Sequence, residues 1–225
     1  IYVLRTGNSD ASAYNDDKTS FTDIGSHWAR GYIKYCKSLG IIAGKSNTKF
    51  CPNDKVTAQE AAKMLLVTLG YNADKAGLVG ANWASRTNAL ADENGLLEDV
   101  NTSFTSACPR QYAAQLIYNA IDAKTVVWRD DAYTNENYAG DPNKTIGEKY
   151  MGLESETGML VAAGKVGLDG KKYDEDQVVL DKVNKDDVAT TLSDVTGDYS
   201  ALLGQHVKVL HKVTKTGVNS NKDKV

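Results

Sequence analysis

The side chains best suited to proton transfer are few. The chain has three histidines, His27, His206 and His211, the residue type that titrates nearest neutral pH. His206 and His211 are five apart, so on a strand they point to opposite faces and do not pair. The three cysteines, Cys36, Cys51 and Cys108, show no Cys-x-x-Cys spacing and are odd in number. They indicate neither a zinc site nor a disulfide framework, and Cys36 reads as a small apolar core residue. Asp169, Asp174, Glu175 and Asp176 bring four carboxylates close together. They lack the alternating ligand series and central glycine of an EF-hand loop and read as a solvated acidic loop. No Gly-x-Ser-x-Gly, P-loop or His-Glu-x-x-His motif is present, and no pattern pairs two carboxylates across a cleft. The expectation is a protein with no catalytic residues, no metal and no cofactor.

Composition narrows the class further. The 225 residues allow one or two domains with sizeable cores. Hydrophobic residues are 41% and charged residues 24%, ordinary for a globular chain. A net charge of −3 argues against general nucleic-acid affinity. No apolar run is long enough to span a bilayer, and no signal peptide is visible.

The element with the clearest signals lies in residues 21–71. A first helix is expected over 26–39. Trp28, Tyr32, Tyr35 and Leu39 follow helical spacing, with Ala29, Ile33 and Cys36 beside them, as one wide apolar face. Gly40 fits the left-handed position after that helix. Ile41 and Ile42 tuck under the following loop, and Gly44 turns the chain. Thr57 then caps a second helix, with Glu60 three residues on as its capping-box partner. Ala62, Leu65, Leu66 and Leu69 form its buried stripe, and Gly70 closes it.

Residues 82–123 repeat this pattern more loosely. Trp83 follows Trp28 by about 55 residues, a period typical of repeat architectures. Gly95-Leu96-Leu97 parallels Gly40-Ile41-Ile42, Phe104 parallels Phe50, and Pro109-Arg110 parallels Thr57-Ala58, proline being comfortable in a first helical turn. Ala113, Leu116, Ile117, Ala120 and Ile121 supply the stripe. Residues 1–7 resemble residues 64–70 and read as the tail of a preceding repeat, with Ile1, Val3 and Leu4 docking on the module. Residues 8–20 read as a polar linker.

Phe21, Asp23, Trp28-Ala29, Ile33, Gly40-Ile41-Ile42, Gly44, Phe50-Cys51-Pro52, Val56-Thr57 and Glu60 together resemble the S-layer homology module. That resemblance implies helical repeats, commonly in threes, packed as a pseudo-threefold spindle, here partial. It also implies a bacterial cell-surface protein held non-covalently on secondary cell-wall polysaccharide, often one with a pyruvylated sugar. An anionic sugar needs a cation, donors at helix starts and an aromatic or apolar wall. In the family the second helix opens with Thr-Arg-Ala-Glu, whose Arg faces the ligand. Here Ala58 replaces that Arg, removing the donor fork that a carboxylate favours. The second copy keeps Arg110 but has Pro109 and Tyr112 at the Thr and Glu positions. The residues carried over as glycan contacts are Asp23, Trp28, Gln59, Trp83 and Arg110. Thr57 and Glu60 read as capping residues only.

Residues 126–128 form a short extended segment, with Trp128 covering the end of the helical module. Thr145 and Glu148 suggest a capped short helix over 145–153. From residue 157 the pattern turns to period two, with strands expected over 158–163, 177–180 and 206–213. In the last of these, Val207, Val209, His211 and Val213 share one face, and Lys208 and Lys212 lie on the other, as in a half-buried or edge strand. Residues 167–170 read as a turn, 186–198 as a short helix or a crossing strand, and 217–225 as an interrupted loop. The expected fold class is α+β: helical repeats at 1–125 (a tail at 1–8, then 21–71 and 82–123), a connector at 126–156, and a small β-rich domain at 157–225, an incomplete barrel or sandwich from a longer protein.

The functional expectation is an extracellular protein of the bacterial cell wall or S-layer whose partner is the wall polysaccharide, without nucleic-acid binding or membrane insertion. Two alternatives stand beside it. One is a structural S-layer subunit whose modules pack protein on protein and self-associate in a lattice, which the loss of Arg at Ala58 favours. The other is the non-catalytic part of a surface glycan hydrolase.

Overall fold

Thr57 begins the best-defined helix for a local reason. Its amide donates to Glu60 Oε2 at 2.8 Å, and the Glu60 amide donates to Thr57 Oγ1 at 3.2 Å. This reciprocal cap satisfies amides that a helix start leaves open. In the computed structural model, residues 1–135, 137–138, 141–142, 144–181, 189–215 and 221–224 are described. They form two units, Ile1–Met151 and Gly152–Val225.

In the first unit the helices are α1 (Tyr2–Thr6), α2 (Arg30–Ser38), α3 (Ala58–Leu69), α4 (Trp83–Glu93) and α5 (Arg110–Ile121). A 3₁₀ turn, Ser12–Tyr14, lies before α2. Strands β1 (Val126–Arg129) and β2 (Ala132–Asn135) form a hairpin, and β3 (Asn137–Tyr138) pairs with β4 (Asp141–Pro142). A π-helical turn, Gly147–Met151, follows. One core gathers Leu4 of α1, Leu65, Leu66 and Leu69 of α3, Leu90 of α4 and Leu116 of α5. At about 2 kcal/mol per buried leucine, this packing outweighs caps worth about 1 kcal/mol each.

A helix as short as α1 does not persist alone. Leu4 and Tyr2 are buried, and Arg5 Nη1 donates to Thr68 O at 3.1 Å and to Tyr150 Oη. Gly7 ends α1 in the left-handed region, as Gly40 does after α2. Val3, expected to dock, is exposed, because the neighbouring Tyr2 and Leu4 take the inward positions.

Helix α2 begins at Arg30, four residues after its expected start. Turn bonds occupy the preceding residues: the His27 amide donates to Ile24 O and the Ala29 amide to His27 Nδ1. Its buried side is Gly31, Ile33 and Cys36, while Trp28 and Leu39 face out. Tyr2 meets Tyr14, Tyr32 and Tyr35 edge-on, with ring centroids 4.9–6.0 Å apart. Within the 8–20 segment Ala11, Tyr14 and Asn15 pack inward, and the remaining residues are exposed. Ala11 is buried, and a Cβ on Gly31 would stand 2.3 Å from Ala11 O.

Helix α5 departs from expectation at Ile117, which is exposed; Leu116 and Ala120 carry its buried side. The loop before α5 interlocks with the start of α3. The Cys108 amide donates to Val56 O at 2.8 Å, and the Gln59 amide to Phe104 O at 3.2 Å. Asp130 and Asp131, both at positive φ, turn the β1–β2 hairpin. Tyr133 Oη accepts from the Asn72 amide at 3.0 Å and fixes the hairpin to the helices. Thr145 and Glu148 form the expected reciprocal cap on the π turn.

The second unit holds one antiparallel sheet. Its strands are β5 (Leu153–Ala163), β6 (Val166–Gly167), β7 (Val178–Asp181), β8 (Thr190–Leu192), β9 (His206–Lys215) and β10 (Asn221–Lys224). The order is β10-β9-β5-β7-β8, with β6 also on β5. Strand β9 therefore lies between β10 and β5, not at an edge. Leu160, Val178, Leu180, Leu192 and Val195 form the core, with Val207 and Val209 of β9 packed against it. His211 is buried and His206 exposed, as the alternation requires. Among the described residues this is a single sheet, not two stacked ones. In the expected stretch 186–198, residues 186–188 lie outside the described residues and β8 occupies part of the rest. Residues 216–220 and 225 also lie outside them, and β10 stands where a loop was expected.

Candidate functional site

Asp23 precedes α2 and reaches the loop that leads to α3. Its Oδ1 accepts from the Phe50 amide at 3.0 Å and its Oδ2 from the Cys51 amide at 2.8 Å. Those bonds, Phe50 first and then Cys51, hold its carboxyl below the usual range. Cys51 sits at φ 61°, strained for a residue with a Cβ, and the Asp23 clamp holds it there. Phe21 packs on Phe50 with centroids 5.5 Å apart. Gly44 is required beside them, since a Cβ there would stand 2.4 Å from the Phe21 ring.

The loop so fixed walls a groove of about 530 Å³. Ile41, Phe50 and Val56 line it from the loop, Lys63 and Met64 from α3, and Trp83 from the start of α4. Lys63 Nζ stands 5.4 Å from the Trp83 ring centroid, within cation–π range. Burial lowers the Lys63 pKa most, with Asp74 and Glu60 opposing. Glu60 faces the same groove and pairs with Lys45 at 3.7 Å. Burial works against its ionisation, but the Thr57 amide and hydroxyl and Lys45 prevail and hold it ionised below the usual range. Lys55 and Asp54 lie at the rim, both exposed.

Of the five residues expected to contact glycan, Trp83 lines this groove and Asp23 holds its wall with both carboxylate oxygens engaged. Gln59 is partly buried, its amide bonded to Phe104. Trp28 is 78% exposed beside Tyr32, apart from the groove lining. Arg110 is exposed at the start of α5, also apart from it. Ala58 is fully buried, so the position at which the family carries its arginine presents nothing to a ligand. Lys63 is not among the five: its place three residues after Glu60 puts it on the same helical face, but only the tertiary contact with Trp83 sets it apart from other helical lysines.

A smaller cavity of about 270 Å³ in the second unit is lined in part by Lys165, Glu175 and Tyr199. Its lysine is already paired with Glu175, so it offers a ligand less charge than the groove does. Among the described residues, no three His, Cys, Asp or Glu side chains are placed to hold a metal ion. No described helix is long and apolar enough to cross a membrane.

Residues 21–71 thus present two helices, the second opened by a reciprocal side-chain cap, with a walled groove beside them that reaches the start of α4. Residues 20–62 match the profile of the S-layer homology domain, so the chain carries such a domain and is of the cell-surface, cell-wall-associated class. A curated relative, an amylopullulanase of Thermoanaerobacterium thermosulfurigenes, is 30% identical over 95 residues. The match covers 40% of this chain and 5% of that protein's length. No solved structure matches with significance.

Proposed function

We propose that this chain is a non-catalytic anchoring segment of a bacterial surface protein and binds an acidic secondary cell-wall polysaccharide in the groove between its two repeats. The observation that carries this reading is the juxtaposition of Lys63 and Trp83 in that groove. An indole face suits the C–H face of a sugar ring, and an ammonium beside it suits an acidic substituent. We read α1, α3 and α5 as equivalent helices of successive repeats, with Trp28 and Arg110 as secondary glycan contacts outside this groove.

The test is a pull-down on sacculi of the source bacterium, with and without their secondary polysaccharide. Binding should require the polysaccharide and fall at least about tenfold in Trp83→Ala, as for loss of a buried aromatic anchor. Equal binding to stripped sacculi, or an unaffected variant, would sink the reading.

The exposed indole of Trp28 favours a second reading, in which modules pack on one another in a surface lattice. Sedimentation separates the two: concentration-dependent assembly lost in Trp28→Ala supports the lattice. The similarity to an amylopullulanase accords with a third, that the parent protein is a surface glycan hydrolase; a hydrolase domain elsewhere in the gene would support it.

A further inference from the structure

The charge in this groove does not come from the start of α3. Ala58 is fully buried there. Lys45 is engaged by Glu60 at 3.7 Å, and Lys55 is exposed at the rim, where water screens it. Lys63 differs from both. It lies about one and a half turns into α3, is half-buried against Trp83, and feels the charges of Asp74 and Glu60 without forming an ion pair with a carboxylate among the described residues. A half-buried ammonium costs desolvation that an anion in the groove would offset.

We infer that Lys63 is the specificity-determining cation of the groove, and that it selects an acidic saccharide by point charge rather than by a guanidinium fork. The inference rests on the groove reading above. An ammonium has no planar, bidentate preference, so a sugar bearing a carboxylate and one bearing a phosphate fit the same site. The Trp83 indole takes the ring and Lys63 the acid group. Position 63 thus supplies the charge that position 58 lacks.

The test uses three probes on the whole chain: glucuronic acid, glucose 6-phosphate and glucose. Binding is read from the Trp83 indole N–H resonance. Both acids should bind at least about tenfold more tightly than glucose, the increment of one charge-assisted hydrogen bond. Lys63→Met keeps the aliphatic stem over the indole and should reduce both acids to the level of glucose; Lys63→Arg should keep the preference for acids. Trp83→Ala, read from backbone amides of α3, should lose all three probes. An unchanged amide spectrum elsewhere confirms that each variant folds. If Trp83→Ala abolishes binding while Lys63→Met still prefers acids, the groove stands and the assignment of Lys63 is overturned. If Trp83→Ala binds as the parent does, the groove reading falls, and the inference with it.

Discussion

The carboxylate of Asp23 and the amide of Cys51 lie 2.8 Å apart across 28 residues of sequence. With the Phe50 amide on its other oxygen, one side chain ties the approach to α2 to the loop that walls the groove. Those bonds lower the Asp23 pKa. Between the native and unfolded values, the unfolded chain holds the extra proton. Stability from this group is therefore in place above the unfolded value of about 3.9 and is lost as pH falls through the native one. Glu60 is lowered too, the hydrogen bonds from Thr57 and the charge of Lys45 overcoming its burial, so it acts in the same direction. We expect the melting temperature to decline below about pH 4.5, and Asp23→Asn to lower it at neutral pH and flatten that decline. Calorimetry across the acid range decides; a variant profile parallel to the parent would refute the clamp.

The reciprocal cap of Thr57 and Glu60 gives a second prediction. Thr57→Ala leaves the Glu60 amide without its hydroxyl acceptor at the start of α3. The expected loss is about 1 kcal/mol, and Thr57→Ser should recover most of it. Urea denaturation measures both.

Leu4 tests whether α1 belongs to the cooperative core. It is 3% exposed and packs in one cluster with α3, α4 and α5. Leu4→Ala should cost about 3 kcal/mol and shift the whole transition of the helical unit. A loss under about 0.5 kcal/mol, the usual range for surface positions, would mean that α1 is only loosely attached.

Two glycines separate clash from backbone strain. Gly70 has φ 120°, and a Cβ there would stand 2.1 Å from Val126 O. Gly40 has φ 70° with nothing within 4 Å. Gly40→Ala should therefore cost only the left-handed strain of about 1–2 kcal/mol. Gly70→Ala should cost clearly more, because the β1–β2 hairpin must shift. Equal melting temperatures for the two variants would contradict this packing of the hairpin on α3.

Much of this was legible in the sequence because it rests on local chemistry. The Thr57 cap, the left-handed glycines and the stripe of α3 are set by near neighbours. The alternation of β9 likewise placed His211 inward and His206 outward. The late start of α2 was not legible, because helical spacing counts Trp28 as one of a face whether or not turn bonds at His27 and Ala29 take its place. Nor was the central position of β9, since strand order depends on partners distant in sequence. Lys63 escaped for a third reason: its meaning arises only when Trp83, 20 residues on, closes over it.

The backbone bonds from Cys108 to Val56 and from Gln59 to Phe104 have a consequence for residues 21–71 as a transplantable part. Grafted alone, they would leave the Val56 carbonyl and the Gln59 amide bare. A segment moved from this protein into another chain should therefore run on through α5.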